Sequence, residues 1–287
     1  MSAAGWRRRL GRAATAVLLV ATIGAQTRPA RIISLVPAAT EMLFAIGAGP
    51  RVIAVSSFDH EPPAVQSLPR VGALLDPDVE RIISLRPDLV VIYGSQDDLS
   101  RQLERAGIGR FFYRHGSLAD ILTMLTSLGA RTGDVDGAAR VVAAIRTSLD
   151  ETRARVAGRP RPRTLVVFGR APGSLRNVYA SGGIGFMHDM LEAAGGDDIF
   201  ADIARESVQA TTELILARAP DVILELRAGD ETAPDLDAWN TLAAVPAVRT
   251  HRVIALAGSD LITAGPHVAA GTERIARALH PDAYVRH

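Results

Sequence analysis

Residues 79–94, VERIISLRPDLVVIYG, have a counterpart at residues 212–229, TELILARAPDVILELRAG. In each, a glutamate opens an apolar run with helical spacing, Pro-Asp follows seven residues after the glutamate, and an unbroken apolar segment comes next. A short amphipathic helix, a turn and a strand buried on both faces would write this pattern. Glu80 and Glu213 are 133 residues apart (213 − 80), and Ile82 with Ile215, Pro87 with Pro220 and Asp88 with Asp221 share that spacing. The same shift lays residues 32–35 on residues 165–168, so one register is expected to serve the first strand of both copies. The chain reads as a duplicated α/β architecture.

Outward from this pair, strand-like apolar runs alternate with amphipathic stretches from Arg31 onward, the pattern of helices packed on parallel sheets. Strands are expected at residues 32–36, 52–55, 89–93 and 111–113, and again at 165–168, 222–226 and 253–256. Helices are expected at 38–46, 79–85, 99–106 and 118–128, then at 185–194, 212–217, 236–243 and 269–279. Between the copies, Ala138, Val142, Ile145, Leu149, Thr152 and Val156 recur at spacings of four and three, which puts them on one face of a helix over 134–157. Gly158, Pro160 and Pro162 stop it. About 24 helical residues reach about 36 Å, enough to cross the back of two lobes. The expected fold is therefore α/β: two Rossmann-like lobes, at 31–130 and 161–287, joined by one long rigid α-helix within 131–160.

Residues 1–30 have the layout of a signal peptide: Arg7, Arg8, Arg9 and Arg12 precede an apolar run over 13–25, and small residues follow. The run is shorter than the roughly 20 apolar residues a membrane span needs. A periplasmic location is expected, and with no cysteine in the chain, no lipid anchor of the exported-lipoprotein kind. The missing cysteine also removes thiol nucleophiles, iron–sulfur clusters and structural zinc fingers. Lysine is absent too, which excludes a Walker-type phosphate loop, a Schiff base and a lysine general base. A formal net charge of +1 offers no basic face to nucleic acid.

Ligands of open parallel sheets bind beyond the carboxyl ends of the strands. Here those positions are the loops at 37–40, 56–61, 94–97, 169–174, 227–231 and 258–262, which line one cleft if the lobes face each other. No catalytic constellation stands out. Ser181-Gly182-Gly183-Ile184-Gly185 lacks the strand and helix that a dinucleotide loop requires, and the seven histidines include no HExxH pair. His60, Glu61 and His267 fall near cleft loops and define one alternative, an exported metal-ion binder or metal-dependent hydrolase. No catalytic residue, metal ligand or resident cofactor is assigned.

The segments RIISLVPAATEMLFAIGAG (31–49), VIAVSSFDHEPPAV (52–65), VERIISLRPDLVVIYG, GFMHDMLEAAGGDDIFAD (185–202) and TELILARAPDVIL resemble one family. It is that of the helical-backbone periplasmic binding proteins, which serve ABC importers of cobalamin, haem and ferric siderophores. The resemblance covers nearly all of the chain after residue 30. It implies a non-enzymatic protein with two α/β lobes, ligand held in the cleft between them, and a membrane partner built of two permease subunits with their ATPase subunits. A monomer is expected. It also implies that Glu80 and Glu213, one exposed acid per lobe, meet arginines on the two permease subunits. Acids in a helix's first turn are favoured by its dipole in any case, by about 0.3–1 kcal/mol. Asp78 and Thr211 or Thr212 are the candidate N-caps.

The resemblance places Pro37, Ala38, Phe58, Tyr93, Phe168, Tyr179 and Asp260 at ligand-binding positions, with Leu74 and Ser207 where cobalamin-binding members carry tryptophan. VPAATE and FDHEPP resemble the cobalamin members more than the siderophore binders, so a corrinoid is the expected transported ligand. Haem, favouring axial Tyr or His, and a ferric siderophore, favouring arginines such as Arg170 and Arg227, are the alternatives.

Overall fold

The computed structural model describes residues 28–229 and 235–285, so the expected signal peptide lies outside them up to residue 27. The first half is a parallel sheet of β1 (Ile32–Ser34), β2 (Val52–Val55), β3 (Leu89–Tyr93) and β4 (Gly109–Tyr113), ordered β2-β1-β3-β4. Its helices are α1 (Pro37–Ile46), α2 (Val79–Ser84), α3 (Asp97–Arg105) and α4 (Leu118–Thr132). α5 (Val135–Val156) leads into the second half. There, β5 (Arg163–Gly169), β6 (Val178–Ser181), β7 (Asp197–Asp198), β8 (Ser207–Ala210), β9 (Val222–Arg227) and β10 (Val253–Ala257) form a sheet ordered β10-β9-β5-β6-β8, with β7 beside β5. The helices are α6 (Phe186–Ala193), α7 (Thr212–Arg218), α8 (Pro246–Arg249), α9 (Ser259–Ile262) and α10 (Val268–Leu279).

Two departures from the sequence reading have local causes. β6 and β8 join the sheet antiparallel; each is four residues long with polar and exposed positions among the buried ones, so it lacks the unbroken apolar run that marks β2 and β3. The helix expected over 236–243 is a 3-10 turn at Leu236–Leu242, begun by Asp235 accepting from the Asp237 amide.

The repeated stretch folds as one unit in two copies. Asp78 caps α2 by accepting from the Arg81 amide, and Thr211 caps α7 by accepting from the Leu214 amide. Ile82 and Ile215 are each helix's buried anchor. Both helices run out through a non-glycine residue in the left-handed region, Arg86 at φ 48 and Ala219 at φ 47. Pro-Asp then ties the turn to the neighbouring strand. The Asp88 amide donates to the Arg31 carbonyl at 2.8 Å while its carboxylate accepts from the Ala30 and Arg31 amides. The Asp221 amide donates to the Arg163 carbonyl at 2.7 Å while its carboxylate accepts from the Arg163 amide. The guanidinium of Arg31 binds the Leu85 carbonyl, and that of Arg163 binds the equivalent Arg218 carbonyl.

These latches correct the expected register. Arg31 and Arg163 are 132 residues apart, and Ile32 pairs with Leu89 whereas Thr164, not Leu165, pairs with Val222. The first strand of the second copy thus lies one residue earlier than a uniform 133-residue shift predicts. A one-residue slip reverses every side chain between the faces of a strand. Consistently, Ile33 and Leu165 both sit on outer faces, Ile33 with Ile82 and Leu165 with Ile215, while Ile32 belongs to the inner core.

That inner core is continuous. Residues of both sheets, including Ile32, Val91, Val166 and Leu224, share one apolar cluster with α1, α4, α5, α6 and α10. α5 contributes Ala138, Ile145, Leu149 and Val156 to it, and packs against α1 and α4 on one side and α10 on the other. Its 22 residues span about 33 Å. Gly137 is required where α5 meets the end of α1, since a Cβ there would stand 1.9 Å from the Ile46 carbonyl oxygen. Direct bonds also cross between the halves: the Tyr113 hydroxyl donates to the Ala264 carbonyl at 3.0 Å, and the Leu118 amide to Asp189 at 2.9 Å.

Candidate functional site

The carboxyl ends of β1, β2 and β3 open on a cleft of about 590 Å³, lined by Leu35, Pro37, residues 56–58, residues 72–76 and Tyr93. Its wall is stiff for its size. The buried Asp59 carboxylate accepts from the Ser56 amide at 2.8 Å, and Arg70 donates to the Ser56 and Asp59 carbonyls at 3.0 and 2.6 Å. Burial holds the Asp59 carboxyl above the usual range despite these bonds. With 56–59 fixed, Phe58 stands 68% exposed. Opposite it, Gln96 bridges the Tyr93 amide and the Leu74 carbonyl, both at 3.0 Å. Gly72 makes the tight 72–77 turn possible, at φ +80 and with no space for a Cβ 2.1 Å from the Asp76 carbonyl oxygen. Leu74 and the 94% exposed Leu75 are thereby presented to solvent on a braced loop. Exposed apolar side chains on a braced frame are what a recognition surface for a large apolar-faced ligand requires.

At one edge of the cleft three rings meet. Tyr93 stacks on His115 at 6.1 Å between centroids, and Tyr113 meets both edge-on. Nothing in the sequence points to His115, because its place depends on β4 lying beside β3. Burial raises the Tyr113 hydroxyl pKa, with Tyr93, Glu206 and Glu41 adding to it. Tyr93 is raised by burial and then by Asp59. The charges around these phenols are carboxylates from both halves.

Of the residues the family resemblance points to, Pro37, Phe58 and Tyr93 line this cleft together, as does Leu74. Ala38 packs in the inner core. Phe168 is half-buried at the end of β5, Tyr179 is exposed on β6 opposite Gly169, and Asp260 is paired with Arg274 at 2.6 Å; none of the three lines the cleft. Tyr179 and the nearby Ile184 are the exposed large apolar side chains of β6 and the turn after it. Arg170, expected as a cleft cation for a siderophore, is instead buried against the equally buried Glu225, which also accepts from the Trp239 indole at 2.6 Å. Glu80 and Glu213 are both exposed on the first turns of α2 and α7.

A second, smaller pocket of about 250 Å³ lies between α1 and the segment from α9 to α10, lined by Glu41, Phe44, Ala45, Glu61, Pro62, Ser259 and His267. Glu61 and His267 do meet there, without His60. Among the described residues no three histidine, cysteine or acidic side chains are grouped to hold a metal ion. Glu41 is 6% exposed, and its pKa is raised to about 7, first by burial and then by Glu61, Asp59 and Asp260.

A family model described as periplasmic binding protein matches residues 32–259. The chain belongs to that family. A periplasmic binding protein is a binding component and not an enzyme. The chain is 28% identical over 274 residues to the vitamin B12-binding protein of Salmonella typhimurium, covering 95% of this chain and 98% of that one. Its fold is similar to that of the periplasmic vitamin B12-binding protein of Vibrio cholerae, with a TM-score of 0.74 at 24% identity over 90% of this chain and 99% of that one. It is equally similar to a periplasmic haem-binding protein from Pseudomonas aeruginosa, with a TM-score of 0.76 at 22% identity over 88% and 93% of the two chains. Among the described residues no helix is long and apolar enough to cross a membrane.

Proposed function

We propose that this periplasmic binding protein captures a corrinoid and hands it to the permease of an ABC importer. In this reading residues 1–30 direct export to the periplasm, 31–130 and 161–287 are the two lobes, and 131–160 carries the helix between them. The ligand lies on the Phe58, Leu74, Leu75 and Tyr93 wall, with Pro37 and Ala38 at its base and Phe168, Tyr179 and Asp260 supplied by the other lobe. Glu80 and Glu213 engage cations on the two permease subunits, giving orientation and steering more than affinity. The protein acts as a monomer and keeps no cofactor of its own.

The observation that carries the corrinoid over its rivals is the charge of the wall. Asp76 is the one charged side chain that lines the cleft among the described residues, and no arginine does. Arg70 is committed to backbone carbonyls behind the loop, and both Arg170 and Arg227 pair with Glu225. Haem carboxylates and anionic siderophores ask for cations; the neutral amides that rim a corrin do not. The kinship with vitamin B12-binding proteins points the same way. Haem is the second reading, supported by the stacked Tyr93 and His115, which offer a phenol and an imidazole at the cleft edge. Titrating the purified protein with cyanocobalamin, hemin and a ferric siderophore, followed by visible spectra and calorimetry, separates the readings. Cyanocobalamin is expected to bind at least about tenfold more tightly than hemin, a difference of about 1.4 kcal/mol. Tight hemin binding with no response to corrinoid overturns the corrinoid assignment.

A further inference from the structure

The two copies of the helix–turn–strand unit agree in a feature that scaffolding does not explain. Three residues beyond Glu80 on α2, Ile83 is 39% exposed; three residues beyond Glu213 on α7, Leu216 is 40% exposed. A spacing of three puts each apolar side chain on the same helix face as its glutamate. The buried anchors that hold the helices to their sheets, Ile82 and Ile215, lie between them in sequence and point the other way. A single exposed leucine or isoleucine means nothing. Here, though, the flanking positions diverge, Arg81 against Leu214, Ser84 against Ala217 and Arg86 against Ala219, while the exposed acid and the exposed branched apolar side chain recur position for position. Both pairs are held at a fixed pitch by the same left-handed turn and the same arginine clamp on the carbonyls that end the helix.

We infer that each half docks through an acid-plus-apolar pair, Glu80 with Ile83 and Glu213 with Leu216, on a partner that presents one surface twice. That surface is a cation beside an apolar hollow, and its two copies are related by a two-fold axis, as in a dimeric permease. The acid orients the approach, while the apolar side chain, once desolvated, slows dissociation. The inference rests on the docking role proposed for the two glutamates and adds the part of the contact that salt does not screen.

The test uses the full-length mature protein and the permease–ATPase complex of its own importer in nanodiscs, with empty nanodiscs as control. Ile83→Ser and Leu216→Ser are each expected to weaken binding about three- to tenfold and together about ten- to hundredfold, mainly through the off-rate. The swapped double variant Ile83→Leu with Leu216→Ile is expected to restore wild-type binding. Cyanocobalamin affinity and thermal stability should stay at wild-type values in all of them. Glu80→Ala with Glu213→Ala should lose on-rate, and the remaining binding should depend less on salt. If this acidic pair matters but the serine pair binds as wild type, the apolar part of the contact fails alone. If the wild type does not bind, or the acidic variants bind as it does, the docking role itself fails. Binding to empty nanodiscs that the serine variants abolish would assign Ile83 and Leu216 to lipid, and overturn the inference as well.

Discussion

The first copy of the repeated unit ends β3 in Ile92 and Tyr93 beside an open cleft, whereas the second places Glu225, 133 residues after Ile92, near the end of β9 and seals it in a buried ion pair. Up to that point the two are alike: a capped helix with one buried isoleucine, a left-handed exit, Pro-Asp, and an arginine clamp. Duplication has been kept where the chain comes into the sheet and released where it leaves. The incoming turn has one mechanical task in both halves. At the strand ends the tasks differ: one strand presents a ring and a groove, and the other anchors Arg170 and Trp239.

The sharpest way to break that contrast is to unpair Glu225. Arg170 and Glu225 are each 1% exposed, and Glu225 also accepts from Trp239 and faces Arg227 at 3.4 Å. Arg170→Met leaves the buried Glu225 carboxylate only the longer contact to Arg227, so it is expected to cost about 3 kcal/mol, the low end of what losing one partner of a buried pair costs. Adding Glu225→Leu should recover at least half of that, since no charge is then stranded, although the Trp239 indole loses its acceptor. Urea unfolding of the two variants tests this. Equal losses would mean that the pair does not act as a unit and that the two strand ends differ less than their burial implies.

The first half has a buried glutamate of its own, and it is handled in the opposite way. Glu41 faces Glu61, Asp59 and Asp260, not a guanidinium, and titrates near pH 7 in the folded protein instead of at the ordinary 4.5. Between those two pH values the native state keeps a proton that the unfolded chain has released. Stability therefore falls as pH rises from 4.5 through 7 and levels off above that. At about 1.4 kcal/mol per pKa unit the loss amounts to at most about 3 kcal/mol. Glu41→Gln keeps the shape and removes the titration. It should match the wild type near pH 5 and exceed it by about 2 kcal/mol at pH 8, read from urea midpoints at the two values. A gain that is the same at both pH values would show that Glu41 is already neutral, or solvated, throughout.

These contrasts also mark how far the sequence can be read. Periodicity locates β3, β9 and α5 because each is long enough to show an apolar run or a helical stripe, and the Pro-Asp repeat locates the incoming turns because its chemistry is local. The one-residue displacement of β5 is invisible, since apolar runs such as 32–35 and 164–167 fit either register and only pairing with β3 and β9 fixes it. In the cleft, Pro37, Phe58 and Tyr93 lie at or just beyond strand ends and can be named. His115, the Gln96 bridge and the burial of Arg170 depend on which strands are neighbours, and no spacing in the chain encodes that.

The smallest effect gives the cleanest test of equivalence at the incoming turns. Arg86 and Ala219 hold nearly the same positive φ, 48 and 47. A non-glycine residue there carries strain of about 1–2 kcal/mol. Glycine relieves that strain but releases more backbone entropy in the unfolded chain, an opposing term of about 0.5–1 kcal/mol. Arg86→Gly and Ala219→Gly should therefore each stabilise the protein by about 0.5 kcal/mol, a shift of about 1–2 °C in Tm for a chain of this size. The clamp survives either change, since it is the Arg86 carbonyl and not its guanidinium that meets Arg31. The two gains should agree within about 0.3 kcal/mol, and the double variant should show their sum, because the sites lie in separate halves. A gain at one turn with a loss at the other would mean that the shared φ hides different strain, and that the likeness of the two units ends at the helix.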